Sequence, residues 1–172
     1  MFLTVALAGS APGQERASSQ DTIVAPDNNG YHTVKQFNGT LTASENMQIF
    51  GDPPLFSVIG SGAATTTQLG QFTVIYTFIA SLSALESGEM AIGASNFIAA
   101  DGIIYTYSTG MGSPSGNPDV TSVVERHTIA GGTGRYAHAK GSFTLNRLVN
   151  DATGVSNGSF HGFIILRNNH GH

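Results

Sequence analysis

The feature that most constrains this chain is a succession of short runs rich in Val, Ile, Thr, Phe and Tyr, each closed by Gly, Pro, Asn or Asp. Such punctuation predicts strands, here over 33–44, 55–65, 70–80, 88–99, 103–110, 120–130, 141–149 and 158–167. Nowhere do apolar residues keep a helical period for three turns. Eight strands with short connections pair best as antiparallel neighbours, in an up-and-down barrel or a sandwich. Charge favours the barrel. Exposed sheet edges are normally protected by charged side chains, lysine above all, and only 10% of this sequence is Asp, Glu, Lys or Arg. A closed sheet has no edge to protect, so the expected fold is all-β, an eight-stranded antiparallel up-and-down barrel spanning 31–167. Residues 12–30 lack periodicity of either kind, and 1–30 and the frayed end 168–172 are expected to lie outside it.

The same sparse charge excludes helical bundles and coiled coils, whose surfaces need far more of it. With 172 residues, the chain suits one domain. Its net charge of −4, without a basic cluster, argues against a nucleic-acid partner. No run of about 20 apolar residues is present to span a bilayer. The absence of cysteine removes disulfides, thiolate zinc sites and thiol nucleophiles and leaves the compartment open. Met1 to Ala11 resembles the end of an export signal, with an apolar run from Phe2 to Ala8 before Gly9 and Ser10, but it lacks a basic leader. Cytoplasmic residence is the default expectation, with export the alternative. His170 and His172 at the frayed C-terminus do not make a metal site, which needs more ligands on rigid structure. No metal and no cofactor are expected.

Faces can be assigned to two strand pairs from alternation. Asp101-Gly102 is a two-residue turn signal, which would set Ala100 opposite Ile103 and Asn96 opposite Tyr107. One face then carries Ile92, Ala94, Asn96, Ile98, Ile103, Tyr105 and Tyr107, the other Ala91, Gly93, Ser95, Phe97, Thr106 and Ser108. The larger, more aromatic face is expected inside. Strand 70–80 likewise turns Phe72, Val74, Tyr76 and Phe78 inward and leaves Thr73, Ile75, Thr77 and Ile79 outside, an apolar surface suited to self-association as a dimer or trimer.

Candidate chemistry is limited to what faces the interior. Phe72, Phe78, Asn96, Tyr105 and Tyr107 are the expected ligand-binding residues, a few polar groups in an apolar wall. The alternative is that Asn96 and Tyr107 satisfy one another as a buried pair. On strand 120–130, Glu125 and His127 share one face and Arg126 takes the other. If the first face is inward, Glu125 and His127 form a proton-transfer pair, with Tyr76 a third catalytic candidate. If the second is inward, Arg126 holds an anionic ligand; otherwise all three are solvated. Glu45, Asp52 and Glu89, near strand ends, could line a barrel mouth.

The most distinctive segment runs Ile129-Ala130-Gly131-Gly132-Thr133-Gly134-Arg135-Tyr136-Ala137-His138-Ala139-Lys140-Gly141. Gly132-x-Gly134-x-x-Ala137 matches a dinucleotide fingerprint in letters alone, because no helix follows to hold a pyrophosphate. With Glu125-Arg126-His127-Thr128 before it, the segment resembles the late-strand signature of the dirigent proteins and allene oxide cyclases. Phe37-Asn38-Gly39-Thr40, and Gly62-Ala63-Ala64 through Leu69-Gly70, are similar to earlier parts of that family. The resemblance implies an eight-stranded barrel with a hydrophobic cavity, commonly trimeric, that controls cyclisation or coupling of a small unsaturated or phenolic molecule. Bacterial relatives of this barrel include natural-product cyclases that close rings by cycloaddition. No catalytic residue of the family carries over by position. Two functions follow as expectations: a cofactor-independent cyclase or isomerase for a hydrophobic natural-product precursor, or a non-catalytic binding protein for a hydrophobic or phenolic ligand.

Overall fold

The computed structural model describes residues 22–27, 30–83 and 90–167. The expected signal segment, Glu89 and the terminal histidines lie outside the described residues. The strands are β1 (Thr22–Asp27), β2 (Gly30–Gln36), β3 (Gly39–Phe50), β4 (Leu55–Thr66), β5 (Gly70–Ser81), β6 (Ala91–Ala99), β7 (Gly102–Pro114), β8 (Val120–Gly132), β9 (Lys140–Asn150) and β10 (Val155–Arg167). From β3 to β10 each pairs antiparallel with the next, and β10 closes the ring on β3. The expected eight-stranded barrel is therefore the observed architecture. Among the described residues, no helix is long and apolar enough to cross a membrane.

The expected strand 33–44 is split. β2 and β3 both run along the same edge of β10, separated by Phe37 and Asn38. At the break the Phe37 N–H donates to the Gly162 carbonyl at 2.9 Å, and Asn38 Oδ1 accepts from the Gly162 N–H at 3.0 Å. The backbone groups freed by the break are thus satisfied, and Phe37 is turned wholly into the core. β1 lies within the stretch where the sequence offers no periodicity, and it pairs with β2.

Phe37 sits among Phe72, Phe97, Phe143 and Phe160, with ring centroids 5.0 to 6.2 Å apart and mostly edge-on, the geometry aromatic quadrupoles prefer. Tyr136, in a 3-10 turn after β8, packs at a tilt against Phe72, centroids 5.8 Å apart, and plugs this end of the barrel. Here the glycine motif does its structural work. Gly134 has φ +58 and lies so close to the Asp101 carbonyl that a Cβ would overlap it, and glycine alone tolerates both demands. Arg135 then reaches Asp101 Oδ2 at 2.9 Å, the Leu69 carbonyl at 3.0 Å and the Tyr136 hydroxyl at 2.5 Å.

That docking also corrects the hairpin register. Ala99 pairs with Gly102 and Ile98 with Ile103, so Asn96 lies opposite Tyr105 and Ala94 opposite Tyr107. Gly102 is used for close approach to the Thr133 carbonyl, while Ile103 exchanges bonds with Thr133 through backbone and hydroxyl. The turn is set by its tertiary partner.

The face assignment of β6 and β7 is inverted as well. Ser95, Phe97, Ile104, Thr106 and Ser108 are buried; Ile92, Asn96, Tyr105 and Tyr107 are exposed. An eight-stranded barrel has an interior just wide enough for its side chains, and the rings of β5, β9 and β10 already occupy it. Small residues must face them. Gly93 shows this directly, since a Cβ there would overlap Phe78; Gly60 stands in the same relation to Tyr76.

Candidate functional site

Above the aromatic layer the interior changes character. β3 alternates Leu41, Ala43 and Glu45 inward against Thr40, Thr42 and Ser44 outward; β8 places Ile129, His127 and Glu125 inward; β9 places Phe143, Leu145 and Arg147 inward. Strand parity thus carries two carboxylates, a guanidinium and an imidazole into the core. Glu125, His127 and Arg147 are 2%, 3% and 6% exposed, burial that charged groups tolerate only when paired.

The pairing is continuous. Arg147 Nε donates to Glu125 Oε1 at 2.6 Å, and Nη1 to Glu45 Oε2 at 2.5 Å and to Ser156 Oγ at 3.1 Å. The Tyr76 hydroxyl donates to Glu45 Oε2 at 2.7 Å. Glu125 Oε2 lies 2.9 Å from His127 Nε2, whose Nδ1 is 3.1 Å from Thr106 Oγ1. His127 is stacked flat on Phe143 at 4.4 Å, which fixes the imidazole plane. Arg147 also lies over the rings of Tyr76 and Phe78, 5.4 and 5.9 Å from their centroids, a cation–π arrangement.

Burial pushes the Tyr76 hydroxyl well above its ordinary range, with the hydrogen bond to Glu45 acting in the same direction against the Arg147 charge. Tyr76 is therefore a neutral donor, not a phenolate base. Burial works to lower the basicity of Arg147, but the charges of Glu125 and Glu45 outweigh it and the net shift is upward. Its cation is permanent.

Two small cavities flank the Glu125–Arg147 pair. The inner, about 10 Å³, touches Leu41, Val74, Tyr76, Ser95 and His127. The outer, about 70 Å³, is walled by Val58, Phe78, Ala91, Gly110, Gly112 and Val123 and lies toward the end of the barrel opposite the Tyr136 plug. Ligand pockets run from about 300 Å³ upward, so the outer cavity has room for only part of such a molecule. Beyond it β3 continues with Met47 and Ile49 on its inner face, exposed beside Val58 and Phe56. Among the described residues, Ser108 Oγ is buried without a hydrogen-bond partner.

The structure places Tyr76, Glu125, His127, Phe72 and Phe78 inside, with the first three in one network and Phe72 in the aromatic layer. It corrects the expected interior positions of Asn96, Tyr105 and Tyr107, which point to solvent, and Arg126 is exposed on the outer wall. Glu45 lies in the wall, whereas Asp52 sits in an exposed turn. Sequence reasoning missed Arg147 and Ser156. The available signal was an arginine at the apolar parity of Phe143, Leu145 and Val149.

No protein-family model matches the chain, and no curated protein matches it. Among solved structures, a pterocarpan synthase dirigent protein is similar with a TM-score of 0.57 and 12% identity, over 91% of this chain and 100% of that one. The likeness shows a shared dirigent-type barrel fold.

Proposed function

We propose that the protein binds one end of a small, largely apolar unsaturated or phenolic molecule in the barrel mouth and holds it in one conformer for ring closure or coupling. The observation that carries this reading is the Glu45–Arg147–Glu125 network at the base of an apolar opening. Apolar walls supply affinity, and a few fixed polar groups supply orientation. Fixing reacting atoms at near-attack distance can contribute roughly 7–11 kcal/mol to a rate, so a directing protein needs no free acid or base. The dirigent-type fold supports the same reading, since the similar structure is that of a pterocarpan synthase dirigent protein. The test is to couple a prochiral allylic phenol with a separate one-electron oxidant and measure the product enantiomers. An excess that grows with protein concentration is expected; a racemic product at every concentration overturns the reading.

A cofactor-independent cyclase or isomerase is the second reading, favoured by Glu125 within 2.9 Å of His127 and by Tyr76 as a neutral donor. In that case a linear precursor disappears at constant mass, faster than in buffer, and Glu125→Gln removes the acceleration. Self-association through Ile59 and Ile75, exposed on the outside of β4 and β5, is part of the proposal. Sedimentation that gives a monomer at micromolar concentration would remove it.

A further inference from the structure

The outer wall of β5 to β8 carries a hollow separate from the mouth. Register sets Ile79, Ile92, Thr109 and Arg126 in one row across the four strands, and Thr77, Ala94, Tyr107 and Thr128 in the next. Ile92 and Tyr107 project strongly, 61% and 67% exposed, while Ala94 and the threonines between them are small. The result is a depression of about 610 Å³, inside the range of small-molecule sites and far larger than the mouth cavity.

Its charge is equally particular. Arg126 is the one charged residue facing outward on the described strands β5 to β8, and it forms no hydrogen bond or ion pair with the described residues. The other residues lining the hollow are apolar or carry a hydroxyl. A guanidinium fork matches a carboxylate with two parallel hydrogen bonds, and Thr109 and Thr128 flank it with further hydroxyl groups. Tyr107 and Ile92 offer apolar sides above the Ala94 floor.

We propose that this hollow binds a small amphipathic organic acid, with its carboxylate on Arg126 and its apolar body over Ala94 between Ile92 and Tyr107. The site lies on the opposite side of the wall from the Glu125–Arg147 network and does not depend on the function assigned to the mouth. It reads chemistry the mouth does not, because there the cation is already matched by two carboxylates.

The test is an amide NMR titration of the full chain with sodium 4-phenylbutanoate and, as the neutral control, 4-phenylbutan-1-ol. Shifts at Ala94, Tyr107, Thr109 and Arg126 are expected, with the acid bound about five- to tenfold more tightly than the alcohol. Arg126→Gln removes that preference, and Tyr107→Ala weakens both probes. Both side chains are exposed, and an unchanged amide spectrum elsewhere verifies the fold. Equal affinity of parent and Arg126→Gln for the acid overturns the proposal. So do shifts confined to mouth residues, or a mass showing that a second copy covers the hollow together with silence at its amides.

Discussion

The two ends of the barrel solve the problem of filling a narrow interior in opposite ways. At the plugged end five phenylalanines and Tyr136 pack ring against ring, mostly edge-on or tilted, and stability follows from apolar area and shape. At the mouth the same volume is filled by Glu45, Tyr76, Glu125, His127, Arg147 and Ser156, which must all be matched because each is out of water. Desolvation commonly cancels what a buried ion pair gains, so an apolar replacement of similar volume is often as stable or more so. The aromatic end is accounted for by folding. The charged end is not, which points to work done there.

The sharpest way to break this comparison is to remove one group from each end. Phe97→Ala should cost about 3–5 kcal/mol through lost burial and a cavity, and Arg147→Met a similar about 3–5 kcal/mol by stranding two carboxylates, both read by denaturant unfolding. The ends then part company. The triple variant Glu45→Leu, Arg147→Met, Glu125→Leu should recover most or all of the loss, whereas no second apolar substitution distant from Phe97 rescues Phe97→Ala. If the triple variant is as unstable as Arg147→Met alone, the mouth cluster is a structural element after all.

A smaller effect belongs to Tyr76→Phe, which takes from Glu45 one charge-assisted hydrogen bond and should cost about 1–3 kcal/mol. The same substitution changes the alkaline limb. Because the folded-state pKa of Tyr76 lies above its unfolded value, its contribution is complete below about pH 10 and is lost as pH rises beyond, at about 1.4 kcal/mol per pH unit. Tyr136, also raised by burial, adds to the decline at the plugged end. Stability measured against pH should therefore fall less steeply in Tyr76→Phe than in the parent; equal slopes would place the phenol in water. Smallest of all is Asp101→Asn, which breaks a half-exposed pair with Arg135 and should cost under about 1 kcal/mol in thermal unfolding.

The fold was legible because strand alternation and turn chemistry are local. β4, β5, β8 and β9 begin and end close to their expected bounds, and closure followed from the scarcity of charge. What local pattern cannot report is which face of a hairpin the rest of the barrel leaves room for. Tyr105 and Tyr107 look like core residues until Phe72, Phe78, Phe143 and Phe160 are counted in the same interior. The site was half legible for a related reason. Glu125 and His127 were visible as a pair on one strand, but their partners Glu45, Arg147 and Ser156 come from three other strands. Arg147 broke the apolar alternation of β9, and that irregularity was the local trace of the partners that Glu125 and His127 find on other strands.

The proposed division of labour, a charged end that receives a ligand and an aromatic end that serves the fold, is put to the test by mapping where a phenol binds. Amide NMR of the parent titrated with 4-propylphenol should show shifts at Val58, Phe78, Gly110, Val123 and Glu125 and silence at Phe97 and Phe160. Shifts centred on the aromatic layer, or none at the mouth at saturating probe, would contradict the account.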